Sequence, residues 1–552
     1  KPGARRMNAQ SVLYRKVLYL GGIVLLLFPL FWLGRPEVRG PSGQLEGGGT
    51  LAQMRHDMGL SPAELGELDP ASQTMKLATL GLRGVATWIL WDRADEYRTK
   101  ENWDKLAATL NTLRRLTPHY ISVWEYQAWN VSYNVSKEFD YYEHRYLWVK
   151  RGIEYLMTGT RYNRHNPRLL WSLGWFTGHK IGRADEHDQF RRLFKDDLDF
   201  QNKLNDYINV DLSRGADGAK PDNWLVGRLW YKRAIDVDTI GIPLQWMRAS
   251  QGDNITKRGR SAVLFYYDPP KQLLNYSEAI TEELTPGEIT RSAWGRASTE
   301  IVEFGNREIP LWDGRTVRLN DLEDIYKRVL KMRSDLDQLE PGLRDQIRKE
   351  REDKLTPEQR VALSKKLIER TTEDHILIRE LYDKMKDNKI FVSDEDVVTR
   401  LPETKSIRGR DLLRKINDQV LQGKMIDNQR AVINYEYWVK RAEIEQQKNT
   451  ADARRLVLEG DRKKTEGDPE GAATAYENAW DKWAIIFNAY PELLYPQPDI
   501  MAEDLEESIQ NYEAVLSQLD RDFPADFKLK RLREFYLSQD ELRRMQILQD
   551  QK

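Results

Sequence analysis

VWEYQAWNVSYNVS, residues 123–136, and LLWSLGWFTGHKIG, residues 169–182, decide how this chain is read. Set one above the other, they bring Trp129 onto Trp175, Ala128 onto Gly174 and Val135 onto Ile181, a repeat of 46 residues. A small residue beside a large aromatic at the same point of two helices lets neighbouring helices approach closely, which is how helical arrays stack. The stretch from Pro118 to Gly182 is therefore expected to form two successive helical hairpins, each opened by a proline. That pattern predicts an all-α scaffold of stacked helix pairs and carries no reaction chemistry of its own.

Working outward toward the N-terminus, ENWDKLAATLNTLRRLTP spaces Trp103, Leu106, Leu110 and Leu113 by threes and fours. Before it, LRGVATWILWDRADEYR sets Leu82, Ala86, Ile89 and Arg93 in one lane with Trp88 and Trp91 beside it. Residues 34–73 are rich in Gly and Pro and read as a tether. Residues 17–33, VLYLGGIVLLLFPLFWL, hold no charge, behind a tail (1–16) with Lys1, Arg5, Arg6, Arg15 and Lys16 and no acid. This predicts a single transmembrane helix with the tail in the cytoplasm and the bulk of the chain outside it. A cleaved signal peptide has the same basic start and apolar middle, but LGRPEVRG offers no small-x-small site.

Toward the C-terminus, the first helical array is expected to run over 74–215, with one more helix and a loop after residue 184. Residues 216–319 are less regular and end in REIPLWDGRTVRLND, where Asp313-Gly314 reads as the two-residue turn of a small β-hairpin near 307–319. Over 320–386 the stripe Leu322, Ile325, Val329, Met332, Leu336 and Leu339 is followed by a break at Pro341-Gly342. A second arm opens at Thr356-Pro357-Glu358, so a coiled-coil-like helical pair is expected there. Residues 387–552 read as helices again. Gly460, Ala472, Tyr476 and Ala479 match four positions of the tetratricopeptide (TPR) pattern, although Lys463 stands where its first-helix aromatic belongs.

Composition excludes several function classes. Cysteine is absent, which removes disulfides, thiolate zinc sites and thiol catalysis. The formal net charge is −1, so no bulk field would attract nucleic acid. Hydrophobic residues at 40% and charged residues at 31% indicate a folded chain. The 17 Trp and 25 Tyr suit large interfaces between helices. No phosphate-cradling glycine motif and no G-x-S-x-G appears.

LTPHYISVWEYQAWNVSYNVS and WSLGWFTGHKIG resemble words found in a group of uncharacterised bacterial single-pass membrane proteins with TPR-like repeats. GLRGVATWILWDRADEY matches as well, and FYYDPPKQLLNYSEA does so more weakly. The likeness spans roughly residues 75–320. It implies a TPR-like helical-repeat ectodomain behind an N-terminal anchor, and it brings no catalytic residues with it.

The candidate partner-binding residues are Trp124, Trp129, Asn130, Tyr133, Asn134, Trp171, Trp175 and His179. The tryptophans, with Trp148, either line a groove that stacks a peptide or sugar or fill the core between helices. Asn130 and Asn134, one turn apart, either face that groove or satisfy buried carbonyls. His179, Asp185, His187 and Asp188 lie close in sequence, but their spacing fits no metal motif, and His179 reads as a helix-end cation. Asp92, Asp95 and Glu96 are interleaved with Arg93 and Arg98, the pattern of a solvated helix face. The expectation is a non-enzymatic scaffold in a bacterial inner membrane, without cofactor. It would bind other membrane or extracytoplasmic proteins, or a second copy of itself, and no nucleic acid. An envelope-glycan-binding protein or enzyme outside the cytoplasm is the alternative, and a structural subunit of a larger membrane complex, held by its anchor and coiled arms, is a third reading.

Overall fold

The computed structural model describes residues 83–215, 220–240, 261–311, 313–365, 371–381, 390–494 and 500–538, with scattered positions ahead of residue 83. Those residues are mostly helical, and they fall into two compact units: residues 1–298 with 441–552, and residues 299–440. Most of the expected span at 17–33 lies outside the described residues; among those described, no helix is long and apolar enough to cross a membrane. Within the Gly/Pro-rich tether, β1 (Val38–Arg39) pairs antiparallel with β2 (Leu45–Glu46), a strand pair the tether reading did not contain.

In the first unit, α1 (Arg83–Thr99) and α2 (Trp103–Leu116) form a hairpin. Asn102 caps α2 by accepting from the Lys105 N–H, and Leu106, Leu110, Leu113 and Leu116 bury its inner face. The inner face of α1 is Leu90, Trp91, Ala94 and Tyr97, rotated away from the expected lane, since Ile89 is exposed and Leu82 lies outside the described residues. Over residues 84–91 the helix carries no charge and apolar side chains on every side (Val85 and Trp88 are also exposed), so periodicity alone does not choose the buried side of its first half.

Both aromatic words fold as helices that change pitch at the same repeat position. Helix α3 (Ile121–Trp129) passes into a π-helical segment at Asn130–Val135, and α5 (Pro167–Trp175) does so at Phe176–Lys180. Only α5 is opened by its proline, with Asn166 accepting from the N–H groups of Arg168 and Leu169. Pro118 stands ahead of α3, where its carbonyl accepts from Trp124 Nε1 at 2.8 Å and Asn163 Nδ2 at 3.0 Å. Between them runs α4 (Tyr142–Tyr162). After α5 come two helices rather than one, α6 (His187–Asp196) and α7 (Leu198–Asn205), then α8 (Asn223–Ile240), α9 (Ala262–Glu283) and α10 (Glu288–Gly305).

The close approaches repeat as well. A Cβ on Gly152 of α4 would lie 2.9 Å from Ala128 O, and one on Gly227 of α8 would lie 3.0 Å from Gly174 O. Ser132 also lies against Gly152 and Gly178 against Gly227, again one repeat apart. Each aromatic helix thus offers a small residue whose carbonyl rests on a glycine of another helix.

The second unit opens with a hairpin in which β3 (Ile309–Pro310) pairs with β4 (Thr316–Val317). Its loop is one residue longer than expected. Leu311 N–H donates to Arg315 O, Gly314 N–H donates to Leu311 O, and Gly314 takes a φ of 85°, the geometry of a turn followed by a left-handed glycine. Helix α11 (Leu322–Leu339) buries Leu322, Ile325, Val329 and Leu336. After Gly342, in a left-handed conformation, come α12 (Leu343–Glu352), α13 (Pro357–Ser364), α14 (Thr372–Leu381) and α15 (Asp394–Thr399). Proline does sit at the first turn of α13, inside a Thr356/Gln359 capping box. The partner of α11 is nevertheless α16 (Glu403–Ile433), not the arm after Thr356. The two run antiparallel, fixed by Arg430 on Glu323, Tyr326 Oη on Asp427 and Arg328 on Gln419.

The chain re-enters the first unit through α17 (Tyr435–Glu445). There Arg441 pairs with Glu278 at 3.0 Å and Arg291 donates to Gln446 O, binding the late helices to α9 and α10. Helices α18 (Lys448–Glu466) and α19 (Pro469–Ala489) form a tight hairpin turned by Gly467 at φ 80° and capped by Asp468. A Cβ on Gly460 would fall 2.7 Å from the Tyr476 ring, and Tyr476 Oη donates to Asp461. The short α20 (Ile500–Glu503) and α21 (Glu506–Gln518) complete a core with Trp480, Trp483, Tyr512, Phe527 and Leu532. Of the region expected to be helical over 387–552, residues beyond 538 lie outside the described residues.

Candidate functional site

The two pitch changes line up aromatic rings. From Trp129 to Tyr133 the centroids are 6.0 Å apart and the planes differ by 19°. From Tyr133 to Trp175 the values are 5.9 Å and 24°, and from Trp175 to His179 they are 5.1 Å and 10°. Trp129 and His179 are exposed, while Tyr133 and Trp175 are half-buried. Tyr126 and Trp91 extend the row at the Trp129 end, at 6.2 Å and then 5.9 Å, with tilted planes. Four of the eight candidates therefore form one ladder of near-parallel rings, and near-parallel rings at this spacing attract one another beyond their burial.

The other four are placed differently. Trp124 is fully buried, with its indole N–H bonded to the Pro118 carbonyl, so it belongs to the core. Trp171 donates to Asp268 at 2.5 Å and lies against Tyr231, facing α8 and α9. Asn130 is buried beneath the ladder, where its Oδ1 accepts from Asn134 Nδ2 at 2.9 Å and its own Nδ2 has no acceptor. Asn134 is half-exposed and is the amide that reaches the surface. Trp148, outside the ladder, stacks on Phe139 and lies under Arg151.

A π turn leaves backbone carbonyls without their usual helical donors, and those must be satisfied elsewhere. In the second segment Asn223 Nδ2 donates to Thr177 O at 3.2 Å and Gly178 O at 3.0 Å. Asn223 Oδ1 in turn accepts from Arg191, a fully buried guanidinium that also pairs with Asp222 and Glu283. Burial of Arg191 is offset by these two carboxylates, which favour its charged form, and their pairing holds the Glu283 carboxyl below its ordinary value. In the first segment Ser136 Oγ donates to Ser132 O at 2.6 Å. The ladder thus rests on buried polar supports that fix its two unusual turns.

Basic side chains flank the ladder. Lys180 Nζ lies 4.1 Å from the Tyr133 ring centroid, a cation–π contact, and burial pulls its pKa down. His179 is also shifted down, first by desolvation and then by Arg183, Lys271 and Lys180. Its ring stacks on Trp175, and the downward shift disfavours the charged form that the helix-end reading calls for. His187 bonds the Ala184 carbonyl through Nδ1. Among the described residues no group of three or more His, Asp or Glu could hold a metal ion. Tyr126, Trp91 and Lys180 were not among the candidates, although Tyr126, Trp129 and Tyr133 at i, i+3 and i+7 carry a readable signal.

No family model matches the chain, and no curated protein or solved structure shows significant similarity to it.

Proposed function

We propose that the chain is a membrane-tethered, extracytoplasmic helical scaffold that holds a partner polypeptide on the Trp129–Tyr133–Trp175–His179 ladder. The ladder is the observation that carries this reading. Trp and Tyr rings supply large contact area at low entropic cost and dominate protein interfaces, and an aromatic-lined row suits an extended segment. The apolar run at 17–33 supports the tether, and the Gly460–Tyr476 hairpin supports TPR-like helix pairs. Partners are other membrane or extracytoplasmic proteins, or a second copy of the chain.

The test uses full-length protein purified from its own membranes, compared with the double variant W129A/H179A, which removes the two exposed ends of the ladder. A protein that copurifies with the wild type and is lost from the variant is the expected result. Equal recovery from both contradicts the reading. A glycan ligand is the second reading, favoured by near-parallel rings beside the half-exposed Asn134 amide. A saturable shift of tryptophan fluorescence with envelope polysaccharide, absent from the same variant, would move the assignment to it.

A further inference from the structure

A cleft of about 390 Å³ opens where the end of α4, the loop after it, the segment after α7 and part of α8 meet. Its walls carry Arg161, Arg164, His165 and Arg233 against one acid, Asp206. Arg233 is half-buried, and its guanidinium donates to the Tyr207 carbonyl. Arg161 lies over the Tyr207 ring, 5.3 Å from its centroid. Among the described residues none of these three arginines has a carboxylate within ion-pair distance.

Arg161 and Arg164 are exposed at the mouth, and the half-buried Arg233 differs in this lack from other arginines withdrawn from solvent. Arg191 has Asp222 and Glu283, Arg454 has Glu445 and Asp504, Arg344 has Asp337 and Asp394, and Arg430 has Glu323 and Glu436. A guanidinium carries five donors, and removing one from water without an anion is unfavourable. Desolvation already presses Arg233 toward its neutral form, with no carboxylate opposing it. Planar guanidiniums match the oxygens of a tetrahedral oxyanion in bidentate fashion.

We propose that this cleft binds a phosphate-type oxyanion, held by Arg161, Arg164 and Arg233. The phosphate belongs either to a soluble molecule or to a lipid headgroup, and the two sources are separable. Full-length chain in phosphatidylcholine nanodiscs is titrated calorimetrically with inorganic phosphate. The site requires saturable binding that weakens roughly tenfold in R164Q and disappears in R161Q/R164Q. Arg164 is an exposed loop residue, so R164Q tests the charge without touching the core. Suppression of wild-type phosphate binding in phosphatidylglycerol nanodiscs assigns the headgroup as the source, whereas equal affinity in both lipids assigns a soluble ligand. Phosphate heats that do not saturate, or that are the same in wild type and both variants, overturn the proposal.

Discussion

A methyl group on Gly227 would sit 3.0 Å from the Gly174 carbonyl and 3.2 Å from Gly178 Cα, both backbone atoms that cannot rotate away. Gly227→Ala is therefore expected to destabilise the fold by about 1–3 kcal/mol through overpacking. Gly84 lies in α1 with nothing within 4 Å of its virtual Cβ, so Gly84→Ala should stabilise by up to about 1 kcal/mol through helix propensity. Urea unfolding of the two variants checks both signs, and a neutral Gly227→Ala would mean the helices do not meet so closely. His179 gives a pH prediction at the same scale. Its folded pKa lies below the unfolded value of 6.5, so the folded protein takes up its proton later than the unfolded chain. Stability from this residue is complete above that value and is lost as pH falls from it through the lowered folded pKa. An NMR titration of the His179 ring should show the low pKa, and a midpoint at or above 6.5 would refute the packing described around it.

At the scale of elements, the π segments after α3 and α5 are what turn two core helices into a surface ladder. Asn223 supplies the donors for the second segment and the acceptor for Arg191, so Asn223→Leu should leave buried carbonyls and a buried guanidinium short of partners. A loss of about 2–4 kcal/mol is expected, together with faster amide exchange over residues 176–180, read by hydrogen-exchange mass spectrometry. Unchanged exchange there would show that the segment is not held by this side chain. The aromatic words were legible because a helix sorts small and large side chains by position, and the repeat of Ala128 on Gly174 marked a real close approach. The pitch change was not legible, because one extra residue per turn alters phase without altering residue type. The buried side of α1 failed for a related reason: with Val85, Trp88 and Ile89 all apolar, several lanes look equally good. The two-residue turn at Asp313-Gly314 was misjudged by one residue, since a glycine serves both loop lengths.

Across the whole molecule, helical character and the small hairpin could be read from sequence, but long-range pairing could not. The stripe on α11 fits any helix with a complementary face, and nothing in its spacing selects α16 over the nearer arm. The return of residues 441–552 to the unit of residues 1–298 depends on contacts such as Arg441 with Glu278, which periodicity does not encode. In the candidate site, Trp129, Tyr133, Trp175 and His179 came together, while Trp124 went to the core because its indole N–H finds the Pro118 carbonyl. Partner docking on the ladder is the central claim, and site-directed photo-crosslinking addresses it most directly. A photoreactive phenylalanine analogue in place of Trp129, in the full chain in its native membrane, should yield a discrete polypeptide adduct. That adduct should vanish when Tyr133→Ala is added and should be absent when the probe replaces Leu198, an exposed residue away from the ladder. No polypeptide adduct at position 129, or the same adducts from position 198, would contradict the claim.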